Sequence, residues 1–239
     1  MPGCKVQRVA LPGGLGATGG DAAATQGTGD MPARVGNLGA GALDGLLREV
    51  RACTACAAHL PLGPRPVVQL GAGARVLIVG QAPGLKVHRS GIPWDDASGR
   101  RLREWMGIAA PVFYDPQQVA IIPMAYCYPG RGSSGDLPPR RECAELWLDR
   151  LLAQLPEIRL TLLVGQYAQR HFLGARARAT LTETVMAWRD YAPAMLPLPH
   201  PSPRNQPWFS RHAWFGDDVL PALKQAVAAA LSPQERAGA

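Results

Sequence analysis

Apolar residues recur along this chain in two alternating rhythms. Residues 42–52 (ALDGLLREVRA) space their large apolar side chains by three and four, with Asp44 early and Arg51 late. That pattern predicts an amphipathic helix whose charges suit its dipole. Residues 75–80 (RVLIVG) are instead a short β-branched run closed by glycine, as in a strand buried on both faces of a parallel sheet. The alternation then repeats. Helix is predicted over 98–106, with Ser98 as its cap, and strand over 119–126. Helix is predicted again over 141–155, with Leu146, Trp147, Leu151 and Leu155 along its buried side. A strand over 159–164 leads into a helix over 166–173. A short strand over 195–199 and a last helix over 217–231 complete the chain. Strands alternating with helices, without internal repeat, predict a three-layer α/β/α fold with a short central parallel sheet.

The same pattern sets boundaries. The first 40 residues are rich in Gly, Ala and Thr and poor in large apolar side chains. They bury too little to offset their ordering entropy, so they are expected to be a disordered extension, with Met31 an alternative start. The folded domain is placed at 41–232, and 233–239 is read as a flexible tail. No apolar run reaches the roughly 18 residues a membrane span needs, and the N-terminus lacks the layout of a secretory signal. The net charge is +7. Residues 1–40 hold three cations (Lys5, Arg8, Arg34) against two anions (Asp21, Asp30), which leaves +6 on the remainder. A basic domain suits a phosphate backbone, although many soluble proteins are basic without one.

Four of five cysteines form a pattern: Cys53 and Cys56 in a C-x-x-C turn, then Cys127 and Cys143. The turn presents two thiols together, a spacing suited to zinc or to an iron–sulphur cluster. Unrelated buried cysteines are the bland alternative. Three further segments carry chemistry. Gly80-Gln81-Ala82-Pro83-Gly84 follows the first strand directly, where open α/β sheets place ligands. Residues 90–99 (SGIPWDDASG) set Trp94 beside Asp95 and Asp96; a core tryptophan and a capping aspartate would account for them equally well. Residues 200–205 (HPSPRN) hold His200 among prolines, as a rigid surface loop also would.

Taken together and in this order, these segments resemble the uracil-DNA glycosylase superfamily, and within it the iron–sulphur branches called families four and five. GQAPG is similar to the first motif, HPSPRN to the second, and the four cysteines to the cluster ligands. GIPWDDASG is similar to the family-five stretch ending in Gly-Asp-Ala-Ser-Gly. Ala82 stands where the best-known uracil glycosylases carry a water-positioning aspartate. Gln81 stands where family four has glutamate, and Pro123 where several families have an asparagine that reads uracil. Those departures bring the chain closer to family five.

The resemblance implies a DNA glycosylase that removes uracil or another deaminated base and leaves an abasic site. A non-catalytic, damage-sensing iron–sulphur member of the same fold is the alternative. It implies a 4Fe–4S cluster on Cys53, Cys56, Cys127 and Cys143, with zinc as the lesser option. DNA is the implied partner, for a monomer acting on the bacterial nucleoid in the cytoplasm. Asp96, His200 and Gln81 take the catalytic places: His200 toward the base's O2, Asp96 toward the sugar cation and the water. Trp94 falls where a ring stacks on the flipped base. Gly80, Ala82, Pro83, Gly84, Ser202 and Asn205 surround the base. Lys86, His88, Arg89 and Arg204 are assigned to DNA, with Arg204 either wedging into the gap or holding phosphate.

Overall fold

The computed structural model describes residues 38–133 and 135–233, with side chains from residue 41. The predicted extension, apart from its last three residues, and all but the first residue of the predicted tail lie outside them. Helix α1 runs Leu38–Arg51, so it begins inside the expected extension.

Four strands, β1 (Val76–Val79), β2 (Val119–Ile121), β3 (Leu160–Val164) and β4 (Met195–Leu198), form an all-parallel sheet in the order β2-β1-β3-β4. Val76 pairs with both Val119 and Leu160, and Leu163 with Pro197. Every residue of the four strands is buried. Alternate residues supply two cores, as a pleat covered on both sides requires. Leu77, Val79, Ala120 and Leu163 face one layer, which includes Leu43, Leu46 and Val50 of α1 with Leu148 and Leu151. Val76, Ile78, Val119, Ile121 and Leu162 face the other. That second layer holds Leu102 and Met106 of α3 (Ala97–Met106) and Leu223 and Val227 of α10 (Leu220–Leu231). Each fully buried aliphatic side chain contributes roughly 1.5–3 kcal/mol. The three-layer α/β/α prediction holds.

Several boundaries differ from the sequence reading. The strand predicted over 119–126 is regular only to Ile121. The chain beyond stays extended beside β1: Ile122 N–H donates to Ile78 O at 3.0 Å, Met124 N–H to Gly80 O at 2.9 Å and Ala125 N–H to Gln81 O at 3.0 Å. Pro123, which has no N–H, sits where this pairing is interrupted. The helix predicted over 141–155 contains a π turn at Ala144–Leu148, between Arg141–Cys143 (α5) and Asp149–Leu152 (α6). The wider turn shifts the phase, so the core positions run Cys143, Leu148, Leu151, Leu155 and Leu146 is left 46% exposed. The cap of α3 is Asp96 rather than Ser98: its Oδ1 accepts from Gly99 N–H at 2.8 Å, and Ser98 is buried inside the first turn.

Short helices absent from the prediction are α2 (Leu85–Ser90), α4 (Ala110–Phe113), α8 (Leu181–Met186) and α9 (Gln206–Arg211). α2 and α4 lie between β1 and β2, α8 with α7 (Gln166–Leu173) between β3 and β4, and α9 between β4 and α10. No described helix is long and apolar enough to cross a membrane.

Candidate active site

The carboxyl ends of β1 and β4 open into one cavity of about 440 Å³. This is the crevice where the sheet order reverses, the place such folds offer a ligand. From β1 come Gly80, Gln81, Ala82, Pro83 and Gly84, then Lys86 on α2; from β4 come His200, Ser202 and Arg204; the loop before α3 adds Trp94 and Asp96. Residues 80–84 and 200–204, far apart in sequence, are thus brought together by the parallel sheet. Gly165, at the end of β3 with φ 87°, has only His200 within 4 Å of where a Cβ would stand, at 3.9 Å, so the turn after β3 leaves the histidine room.

His200 is held from several directions. Ser202 N–H donates to its Nδ1 at 3.1 Å, and Asn205 Nδ2 donates to its carbonyl at 2.8 Å. Arg101 Nη1 reaches Ser202 O at 3.4 Å while Nη2 binds Gln206 Oε1 at 3.2 Å. A neutral ring accepting at Nδ1 carries its proton on Nε2. Burial lowers the imidazole pKa, with Asp96 pulling the other way.

Trp94 is the non-glycine residue with positive φ, 56°, among the described residues, a costly conformation for a bulky side chain. Its ring centroid lies 5.5 Å from that of His200, tilted 32°. A Cβ at Gly80 would stand 3.1 Å from the same ring. A Cβ at Gly99 would stand 1.8 Å from Trp94 O, so the first turn of α3 fits against this peptide only because residue 99 is glycine. Asp96 is both the cap of α3 and a cavity wall, and its Oδ2 accepts no hydrogen bond among the described residues.

Other predicted residues fall differently. Gln81 lines the cavity, but its Nε2 donates to Leu137 O at 3.4 Å. Ala82 lies half-buried against the α1 core layer. Asn205 supports the His200 backbone and does not line the cavity. Lys86 and Arg89 are exposed on α2, but His88 is buried, 6.1 Å ring to ring from Tyr128, so it does not share their surface. The helical turn carries it inward with Val87. Burial, with Arg65 and Arg89 nearby, lowers its pKa.

Tyr128, Arg131 and Asp136 line the cavity unforeseen. They belong to a hairpin in which Leu137 N–H donates to Gly130 O at 2.9 Å. Its only signal in the sequence is a glycine-rich turn between two charges.

The four predicted cysteines border a second, narrow cavity with Arg140 and Trp147. All four are free thiols. Trp147 Nε1 donates to Cys53 Sγ at 3.3 Å. Burial pushes the Cys56, Cys127 and Cys143 thiols up, the last to about 12, and the neighbouring cysteines add to it. Among the described residues no His, Cys, Asp or Glu group stands in finished metal-holding geometry. Four cysteine sulphurs on one narrow cavity nevertheless suit a thiolate-held centre, and the Trp147 N–H aimed at Cys53 stabilises the charged form of that sulphur.

A parallel sheet with a crevice at its carboxyl ends, walled by a glycine-rich β1 loop and a proline-fixed histidine after β4, defines an α/β protein with one built ligand site. The model of the uracil DNA glycosylase superfamily matches residues 68–224, and the chain belongs to that superfamily. Among solved structures it matches a provisionally named uracil DNA glycosylase from Methanosarcina acetivorans, determined by NMR, at 16% identity and a TM-score of 0.36. That match covers 67% of this chain and 98% of the other.

Proposed function

We propose that this protein is a DNA glycosylase that hydrolyses the N-glycosidic bond of uracil or another deaminated base, leaving an abasic site. The observation that carries the reading is the convergence of Gly80–Gly84, Trp94, Asp96 and His200 on one cavity, with His200 tautomerically set to donate.

A base inside a duplex hides its glycosidic bond, so the nucleotide must be extruded into the cavity at a cost of a few kcal/mol. Trp94 offers a face for the base, worth about 1–3 kcal/mol. As the C1′–N bond breaks, its electron pair moves onto the base. His200 Nε2–H donates to the oxygen where that charge collects, and the N–H groups after β1 add to the field as an oxyanion hole does. The sugar becomes cationic. Asp96 balances it and takes the proton of the water whose oxygen adds to C1′. Lys86, Arg131 and Arg204 give the cavity a basic lining for phosphates.

Cys53, Cys56, Cys127 and Cys143 would hold a 4Fe–4S cluster, which tolerates hydrogen-bonded thiolates of this kind. It would tie the turn after α1 to the segment 127–143 and supplies no step of the hydrolysis. Ala82 and Pro123 in the cavity wall, where other branches carry polar side chains, favour the family-five affiliation.

The test is single-turnover cleavage of oligonucleotides bearing uracil, hypoxanthine or xanthine. Release of at least one, slowed about 10²–10³-fold in His200→Ala, is the expected result. Tight binding without release would mark a damage-sensing member instead.

A further inference from the structure

The cavity holds two carboxylates on different walls. Asp96 stands on the His200 side, where its charge opposes the lowering of the imidazole pKa. Asp136 stands on the other side, against the β1 loop: a Cβ at Gly84 would lie 3.6 Å from Asp136 Oδ2. The hairpin that carries it is tied to both motifs. Leu137 O accepts from Gln81 Nε2 at 3.4 Å, and a Cβ at Gly135 would meet Arg204 Nη1 at 3.3 Å. Arg131 and Asp136 face one another as an antiparallel bridge. Asp136 makes no ion pair and no side-chain hydrogen bond among the described residues. Glycine at position 84 leaves the space beside its carboxylate clear.

An unpaired carboxylate at the mouth of a site for a polyanion repels phosphate, so its partner is chemically a donor. An ionised carboxylate only accepts hydrogen bonds, whereas an amide such as Gln81 can turn to accept or donate. Deamination makes the distinction such a group can read. Cytosine presents a bare ring nitrogen, N3, where uracil presents N3–H. Adenine presents bare N1 where hypoxanthine presents N1–H. Pro123, which also lines the cavity, can offer neither a side-chain donor nor a backbone N–H.

We infer that Asp136 is the specificity residue of this pocket, accepting the ring N–H that uracil and hypoxanthine carry and that cytosine and adenine lack. This rests on the glycosylase reading above and assigns the base edge the site reads: N3–H of uracil and N1–H of hypoxanthine.

The experiment is single-turnover release from otherwise identical oligonucleotides carrying uracil, N3-methyluracil or cytosine, and hypoxanthine or adenine. It uses the full-length protein and its Asp136→Ala and Asp136→Asn variants. Asp136 is exposed, so both variants should fold, which melting curves check. The unaltered protein should release uracil and reject N3-methyluracil. Asp136→Ala should slow uracil release about 10–100-fold, as loss of a hydrogen bond to a charged group implies, and bring uracil and N3-methyluracil close together. Asp136→Asn, whose amide can donate to a bare N3, should raise cytosine relative to uracil. If the unaltered protein releases deaminated bases and both variants keep the same preferences, the assignment of Asp136 is overturned and the glycosylase reading stands. If the unaltered protein releases none of them, the glycosylase reading fails and this inference falls with it.

Discussion

The backbone N–H of Ser202 donates to Nδ1 of His200 at 3.1 Å, leaving the ring's proton on the nitrogen free to face a substrate. Burial lowers the pKa of this imidazole. The neutral donor is then the working form at neutral pH, and cleavage should be flat there and fall only below the usual histidine pKa. The sign for stability follows. The unfolded histidine, with a pKa of about 6.5, takes up its proton before the folded one does. This group's share of stability is intact above that value and is lost progressively as pH falls below it, until the folded ring also protonates. Single-turnover rates and melts across pH 5–8 test both statements (that span is about where imidazole charge changes). His200→Ala should cost about 10²–10³-fold in rate and remove its part of the pH dependence of melting.

Asp96 has two duties that substitution separates. Asp96→Asn keeps an acceptor for Gly99 N–H, so melting should barely move, while single-turnover cleavage falls at least about tenfold, roughly 1.4 kcal/mol of barrier. Asp96→Ala should add a loss of about 1 kcal/mol in stability, the usual worth of a cap. Asp95→Asn is the control and should change neither. An effect of Asp95→Asn in place of Asp96→Asn would shift the role by one residue.

Gly99→Ala would ordinarily favour a helix by about 1 kcal/mol. Here the new methyl would meet Trp94 O at 1.8 Å, so the clash wins. The variant should lose at least about 2 kcal/mol in denaturant titration.

Trp94→Ala should weaken binding to oligonucleotides with an extruded base by about 1–3 kcal/mol. Trp94→Gly should melt higher than Trp94→Ala, by about 1 kcal/mol, because glycine takes φ 56° without strain. Equal melting of the two would show that the left-handed conformation costs little.

Cys127→Ser and Cys143→Ser should each lower bound iron and folded stability together, since ligation energy is part of folding energy. Iron analysis, visible absorption and melting of protein purified without oxygen make the measurement. Normal iron with normal melting in both variants would remove the four-cysteine cluster.

Strands buried on both faces are written as continuous apolar runs, and RVLIVG and RLTLLV are legible as such without any structure. The amphipathic faces of α1 and α10 are equally plain. The short helices were harder to read, since four to six residues hold too few periods for an apolar face to show. Even so, α8 had a legible start: Thr180 and Glu183 form a capping box, each side chain bonded to the other's backbone. The π turn at Ala144–Leu148 left no sign, because widening one turn changes which residues face inward without changing what they are.

For the site, the sequence by itself determined the ingredients: a glycine-rich loop after the first strand, a tryptophan beside two aspartates, a histidine among prolines and four spaced cysteines. Tertiary structure decided their arrangement. The parallel pairing of β1, β3 and β4 carries residues 80–84 and 200–204 to the same sheet edge. Helix geometry turns His88 inward and leaves Lys86 outside. A hairpin between two of the cysteines delivers Asp136 to Gly84. Long-range pairing sets these positions, and such pairing depends on packing free energy summed over the whole sheet, which no local pattern encodes.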